Sequence, residues 1–150
     1  MIGKGDNNLA TNIDAFNSIT VDLLGMLYRL HPRKADFSPA DLSEASLALI
    51  AEVAPDANPP IWWMTALWLE TEGYIRIGIK PHSGAHLAHI DLTSKGFAAL
   101  ASVPASLEGK APLGDRIAAV ASTAGGEVRS AAIGGIVGAF VAAAAKQVLG

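Results

Sequence analysis

The 150-residue sequence contains no cysteine, which excludes a disulfide framework, a thiolate zinc site and a cysteine nucleophile. Charge is also scarce, because Asp, Glu, Lys and Arg make up only 17 % of the chain and the formal net charge is −3. No global field therefore draws the chain to nucleic acid or anionic lipid, and such binding would need a local basic patch. Hydrophobic residues account for 51 %, which is too many for a disordered protein.

Motifs of catalytic and metal chemistry are absent as well. The segment GKGDNN lacks the Walker spacing, and neither G-x-S-x-G nor a helical H-E-x-x-H occurs. Glu70 and Glu72 are two residues apart, which on a helix does not bring them together. His82, His86 and His89 lie in a turn that leads into a strand, where the last two would face opposite ways. The sequence predicts a non-enzymatic protein without a cofactor or metal site.

The N-terminal part predicts a leader followed by an amphipathic helix. Residues 1–10 are polar and lack the apolar core of a signal peptide, so we expect a cytoplasmic protein. Apolar residues recur at three- and four-residue steps from Ile13 to Leu30, with Thr11 or Asn12 as the N-cap.

Two further helices and a hairpin follow. Ser38 and Pro39 suit the N-cap and first position of a helix that breaks around residues 43–46. The segment IWWMTALWLETEG predicts a helix that ends at Gly73. YIRIGIK and HLAHIDL then alternate as the strands of a β-hairpin, and Thr93 caps a short helix after it.

This order of elements resembles the winged helix-turn-helix fold of MarR- and PadR-like regulators. The resemblance spans residues 11–104 and lies in ALWLETEGYIRI, the hairpin and HIDLTSKGFAAL. The matching positions are Leu69, Gly73, Tyr74, Ile75, Leu92, Thr93 and Gly96. The resemblance implies an α+β, mainly α, domain with a β-hairpin wing, which serves in DNA binding or in protein interaction.

A DNA-binding winged helix inserts the helix before the hairpin into the major groove, while its wing contacts phosphate. Here that helix carries no Lys or Arg, so we expect the wing and the connector after the first helix to dominate any DNA contact. An ordinary solvated surface is the alternative. The candidate nucleic-acid-binding residues are Arg29, Arg33, Lys34, Thr65, Arg76, Lys80 and His82.

The same helix carries three tryptophans. Aromatic residues at helical spacing usually pack in a core, which predicts that Trp68 and either Trp62 or Trp63 are buried. The remaining one of Trp62 and Trp63 would then anchor a protein partner.

After a linker at 105–114, residues 115–150 predict an Ala/Gly-rich helical tail with a bend at Gly125–Gly126. Its uncharged run, 130–145, spans about 24 Å as a helix, whereas a bilayer core is about 30 Å thick. Small residues at four-residue steps form one face and bulky residues the other, which favours close helix contact. The candidate contact residues are Gly134, Gly138, Phe140 and Ala142.

Two interpretations stay open. In the first, the chain is a DNA-binding or regulator-like module that forms a homo-oligomer through its tail, and residues 11–104 fold without that tail. In the second, it is a membrane-associated or structural assembly protein whose tail oligomerises or inserts, with the winged helix as a platform for protein partners.

Overall fold

A helix of 19 residues, α1 (Asn12–Leu30), lies at the centre of the fold. The Thr11 hydroxyl accepts from the Asp14 N–H, and the Asp14 carboxylate accepts from the Thr11 N–H. This reciprocal cap confirms the predicted helix and its start. Between residues 18 and 25 every side of α1 is buried, so other elements surround it.

The computed structural model describes residues 9–104, 111–123 and 126–149. The predicted leader lies mostly outside these residues, and the predicted linker and bend lie partly outside them. The elements after α1 are β1 (Ala35–Phe37), a 3-10 turn (Pro39–Asp41), α2 (Glu44–Val53), α3 (Ile61–Thr71), β2 (Ile75–Ile79), β3 (Leu87–Leu92), α4 (Ser94–Ala101), α5 (Leu113–Ser122) and α6 (Gly126–Leu149).

The local stop and start signals in the sequence are confirmed. The 3-10 turn is separated from α2 by Leu42 and Ser43, which is the predicted break. Gly73 ends α3 with a φ of +84°, a conformation that glycine adopts without a Cβ penalty. The Thr93 hydroxyl accepts from the Gly96 N–H at 3.0 Å and so caps α4.

The sheet is antiparallel with the strand order β1-β3-β2. Strands β2 and β3 form the predicted hairpin, in which Ile77 lies opposite Ile90. Strand β1, which the sequence predicted as part of a connector, is an additional edge strand paired to β3. The register shifts along this pair, and His89 on β3 has a φ of +57°, as in a β-bulge.

The C-terminal helices belong to the same hydrophobic core as the rest of the chain. Leu113 and Ile117 of α5 and Phe140 of α6 are fully buried in one cluster with α1, α3 and the sheet. Helix α5 lies close to α1 at Gly114, where a Cβ would collide with the Tyr28 ring. The core thus crosses the boundary predicted between the winged-helix segment and the tail, and α5 begins within the predicted linker.

The fold is α+β and mainly helical, which confirms the predicted class at this level. Within the described residues it consists of six α-helices and one small antiparallel sheet. The bulky face of α6 covers the core, so the apolar tail is in part core.

Candidate functional site

A buried ion pair joins the tail helix to the centre of the fold. The Arg129 Nη2 donates to the Asp22 Oδ1 and to the Ser18 Oγ, both at 2.9 Å, and Nη1 donates to the Val120 carbonyl at 3.0 Å. The side chains of Arg129 and Asp22 are 1 % and 4 % exposed. This pair was not predicted from the sequence, because its two residues are more than a hundred positions apart in the chain.

Ser43 and Ser46 donate hydrogen bonds to the other carboxylate oxygen of Asp22. Ser43 donates to Asp22 Oδ2 from its backbone and hydroxyl at 3.0 and 2.9 Å, and the Ser46 hydroxyl donates at 2.6 Å. The Ser18 and Ser46 hydroxyls also share a hydrogen bond. The Asp22 carboxylate and the Ser18, Ser43 and Ser46 hydroxyls are all hydrogen-bonded within the cluster, whereas the buried Arg129 Nε has no partner among the described residues. The cluster ties α1, the start of α2 and α6 together.

The two candidate cations of the wing are engaged by acids of the same chain. The Arg76 guanidinium donates twice to the Asp91 carboxylate, at 3.2 and 3.0 Å, and this hydrogen bonding together with the Asp91 charge raises the pKa of Arg76. Lys80 pairs with Glu70 at 3.0 Å. These pairs are exposed and individually weak, but they cancel the positive charge that phosphate contacts would use.

The connector cations are placed differently. Arg29, Arg33 and Lys34 are exposed and form no ion pair with the described part of the chain. His82 is exposed in the hairpin turn. Thr65 is 3 % exposed and its hydroxyl donates to the Ile61 carbonyl at 2.8 Å. The prediction that Thr65 contacts nucleic acid is therefore wrong.

The tryptophans of α3 are arranged differently from the prediction. Trp62 is buried, in edge contact with Phe37, and Trp63 is half-buried. Trp68, predicted as core, is 41 % exposed. Because almost every residue of α3 is apolar, the sequence offers no contrast that would select its buried face. Trp62 is therefore corrected from a contact residue to a core residue.

An apolar groove lies where the first turns of α1 meet α3. Its volume is about 580 Å³, and we call it the α1–α3 groove. Three of its side chains are strongly exposed for their type: Ile13 at 64 %, Met64 at 52 % and Trp68 at 41 %. The lining residues are Asn12, Ile13, Phe16, Ala54, Ala57, Ile61, Met64, Thr65 and Trp68.

Aromatic packing holds the groove in shape. The Trp68 ring stands edge-on to Phe16, with centroids 5.2 Å apart, so α1 and α3 both support it. The lining has two polar side chains, Thr65 and Asn12. The Thr65 hydroxyl is bonded within its own helix, and the Asn12 side chain makes no hydrogen bond to another described group. The groove therefore suits an apolar ligand surface rather than a polar one.

The face of α6 that points away from the core consists mainly of small residues, with Val141, Lys146 and Gln147 also exposed. A Cβ built on Gly134, Gly135 or Gly138 would meet nothing within 4 Å. Ala142 is exposed on this helix, whereas Phe140 is fully buried in the core and is corrected from a contact residue. Arg129–Gln147 has the length and apolar composition to cross a membrane, with a mean hydropathy of 1.3 and 33 % of it buried inside the protein.

Among the described residues, no group of three or more metal-ligating side chains comes together. Comparison with protein-family models, curated proteins and solved structures gives no significant match for this chain.

Proposed function

We propose that this chain is a non-enzymatic interaction module that binds an apolar helix of a partner protein in the α1–α3 groove. The observation that carries this proposal is the exposure of Ile13, Met64 and Trp68 around one groove between two helices. Amphipathic helices commonly bind in such grooves through side chains at three- and four-residue steps. Tryptophan anchors often carry much of the binding energy, and methionine adapts to irregular surfaces.

The order helix, helix, helix, hairpin supports the proposal that the module is a winged helix. In that fold α3 occupies the position of the DNA-reading helix. Base readout uses hydrogen-bonding side chains such as Arg, Lys, Asn and Gln, none of which α3 carries. Its large exposed side chains, Met64 and Trp68, are apolar instead, which favours a protein partner over DNA.

Serine substitution of Ile13 and Met64 together tests the groove. Both side chains are largely exposed, so the fold should tolerate the change while the groove loses two apolar contacts. We expect the affinity for a synthetic amphipathic helix of about 18 residues, with alternating Lys and Glu on its polar face, to fall about tenfold or more. Fluorescence anisotropy of the labelled helix measures this.

Leu47→Ser is the matched control, because Leu47 is 42 % exposed on α2 and does not line the groove. Wild-type protein that fails to bind the helix, or equal loss in the control, would refute the proposal. DNA binding at the connector is the alternative. It predicts that a DNA duplex binds the Ile13/Met64 variant normally and that Arg33→Ala with Lys34→Ala abolishes this binding.

We also propose that the chain self-associates through the small-residue face of α6. Glycine within a helix costs about 1 kcal/mol relative to alanine, and no neighbour in the described chain requires Gly134, Gly135 or Gly138 to lack a side chain. By contrast, Gly114 is required where α5 approaches α1. A second helix that approaches more closely than a Cβ allows would account for the three α6 glycines.

Gly134→Leu with Gly138→Leu is expected to reduce the molar mass of the assembly, because leucine blocks close helix approach. Light scattering after size-exclusion chromatography measures the mass, with Ala119→Leu on the exposed side of α5 as the control. An unchanged mass would contradict self-association through this face. Stronger binding to vesicles together with an unchanged mass would instead indicate contact with lipid.

A further inference from the structure

The described segments that line the α1–α3 groove carry mainly acidic residues. Between residues 35 and 75 the chain has seven Asp and Glu residues and no Lys or Arg. Asp14, Glu52 and Asp56 are exposed, and each lies within two residues in sequence of a residue that lines the groove. We call these three side chains the acidic rim, because each is an exposed neighbour in sequence of a lining residue, and Glu52 also accepts from the Ala10 N–H just before α1.

Among the described residues, the basic side chains nearest in sequence to the groove lie at the far end of α1 or are already paired. Arg29 is the basic residue of α1, and a helix rises about 24 Å between positions 13 and 29. Lys80, which contacts α3, is already paired with Glu70 at 3.0 Å. At physiological salt, charges 24 Å apart are largely screened, so the connector does not neutralise the rim.

We propose that the occupant of the groove is a cationic amphipathic helix of a partner protein, with an apolar face and Lys or Arg on its flanks. This inference rests on the proposed function, since it requires the groove to be a binding site. The apolar lining supplies the contact area, and the acidic rim selects the sign of the flanking charge. Phosphate groups of nucleic acid and anionic lipid are disfavoured here for the same electrostatic reason.

The test compares three synthetic helices that share one apolar face and differ in the polar face, which is all Lys, alternating Lys and Glu, or all Glu. We expect the Lys helix to bind about tenfold more tightly than the Glu helix, since three rim charges contribute a modest amount each. The difference should shrink as the salt concentration rises. Isothermal titration of the full chain measures the three affinities.

Glu52→Gln with Asp56→Asn should reduce the Lys-over-Glu preference several-fold. The glutamine retains an acceptor for the Ala10 N–H that Glu52 binds at 3.3 Å, so the local structure is preserved. Asp36→Asn with Glu44→Gln removes the same charge from β1 and the start of α2, and should leave the preference unchanged.

The outcomes separate the two proposals. Equal affinity for the three helices, all weakened by the Ile13/Met64 change, would overturn the charge preference and leave the groove proposal intact. Lys-helix binding that is unaffected by the Ile13/Met64 change would show attraction by charge alone and overturn both. Preferential binding of phosphatidylglycerol vesicles through the groove would overturn the assignment to a cationic helix.

Discussion

Arg129→Met is expected to lower the free energy of unfolding by about 3–5 kcal/mol, because it leaves the Asp22 carboxylate buried without its counter-charge. The Asp22 side chain is 4 % exposed, so water solvates it poorly in this conformation. Four hydrogen bonds from the guanidinium to Asp22, Ser18 and Val120 are lost with the charge. Equilibrium unfolding in urea measures the change as a shift in midpoint at constant slope.

Arg76→Met is the matched control, because it breaks a pair with Asp91 in which the arginine is 62 % exposed. We expect that change to cost about 0–1 kcal/mol. Replacing Asp22 with leucine alongside Arg129→Met should recover part of the loss, since a buried pair can be exchanged for apolar residues more readily than it can be broken. An Arg129→Met variant as stable as the wild type would contradict the docking of α6 on α1.

Truncation after residue 110, which removes α5 and α6, is expected to abolish cooperative folding. The removed segment buries six large apolar side chains: Leu113, Ile117, Ile133, Ile136, Val137 and Phe140. At about 1.5–3 kcal/mol each, their combined contribution is comparable with the whole stability of a typical domain, about 5–15 kcal/mol. The packing therefore leads to the opposite expectation from the sequence, which suggested that residues 11–104 fold alone.

Thermal unfolding followed by circular dichroism measures the effect of the truncation. Removal of residues 1–8 is the control, because it deletes none of the described core, and we expect a transition within a few degrees of wild type. A sharp cooperative transition of the truncated chain would show that α5 and α6 are dispensable for the fold.

Elements with local signals could be predicted from the sequence. The caps at Thr11 and Thr93, the stop at Gly73 and the alternation of the hairpin strands each depend on residues close together in the chain. Strand β1 has only three residues and depends on β3 for its hydrogen bonds, so its own sequence does not reveal it.

Features made by distant residues could not be predicted. Asp22 and Arg129 are ordinary charges in the sequence, and only the packing of α6 on α1 turns them into a buried pair. The sequence likewise did not determine which face of α3 is buried, because an almost entirely apolar helix has no polar side to mark as exposed. The exposure of Trp68 and Met64, and with it the groove, follows from tertiary packing alone.

Binding in the α1–α3 groove is tested by the indole N–H signals of the three tryptophans, in a ¹H–¹⁵N correlation spectrum of the full chain titrated with the Lys-faced helix. Trp68 lines the groove, whereas Trp62 is buried at 4 % exposure and serves as the internal reference. If the helix binds in the groove, the Trp68 signal shifts progressively to saturation while the Trp62 signal shifts little. A Trp68 signal that stays stationary when the helix is in excess would contradict binding in the groove.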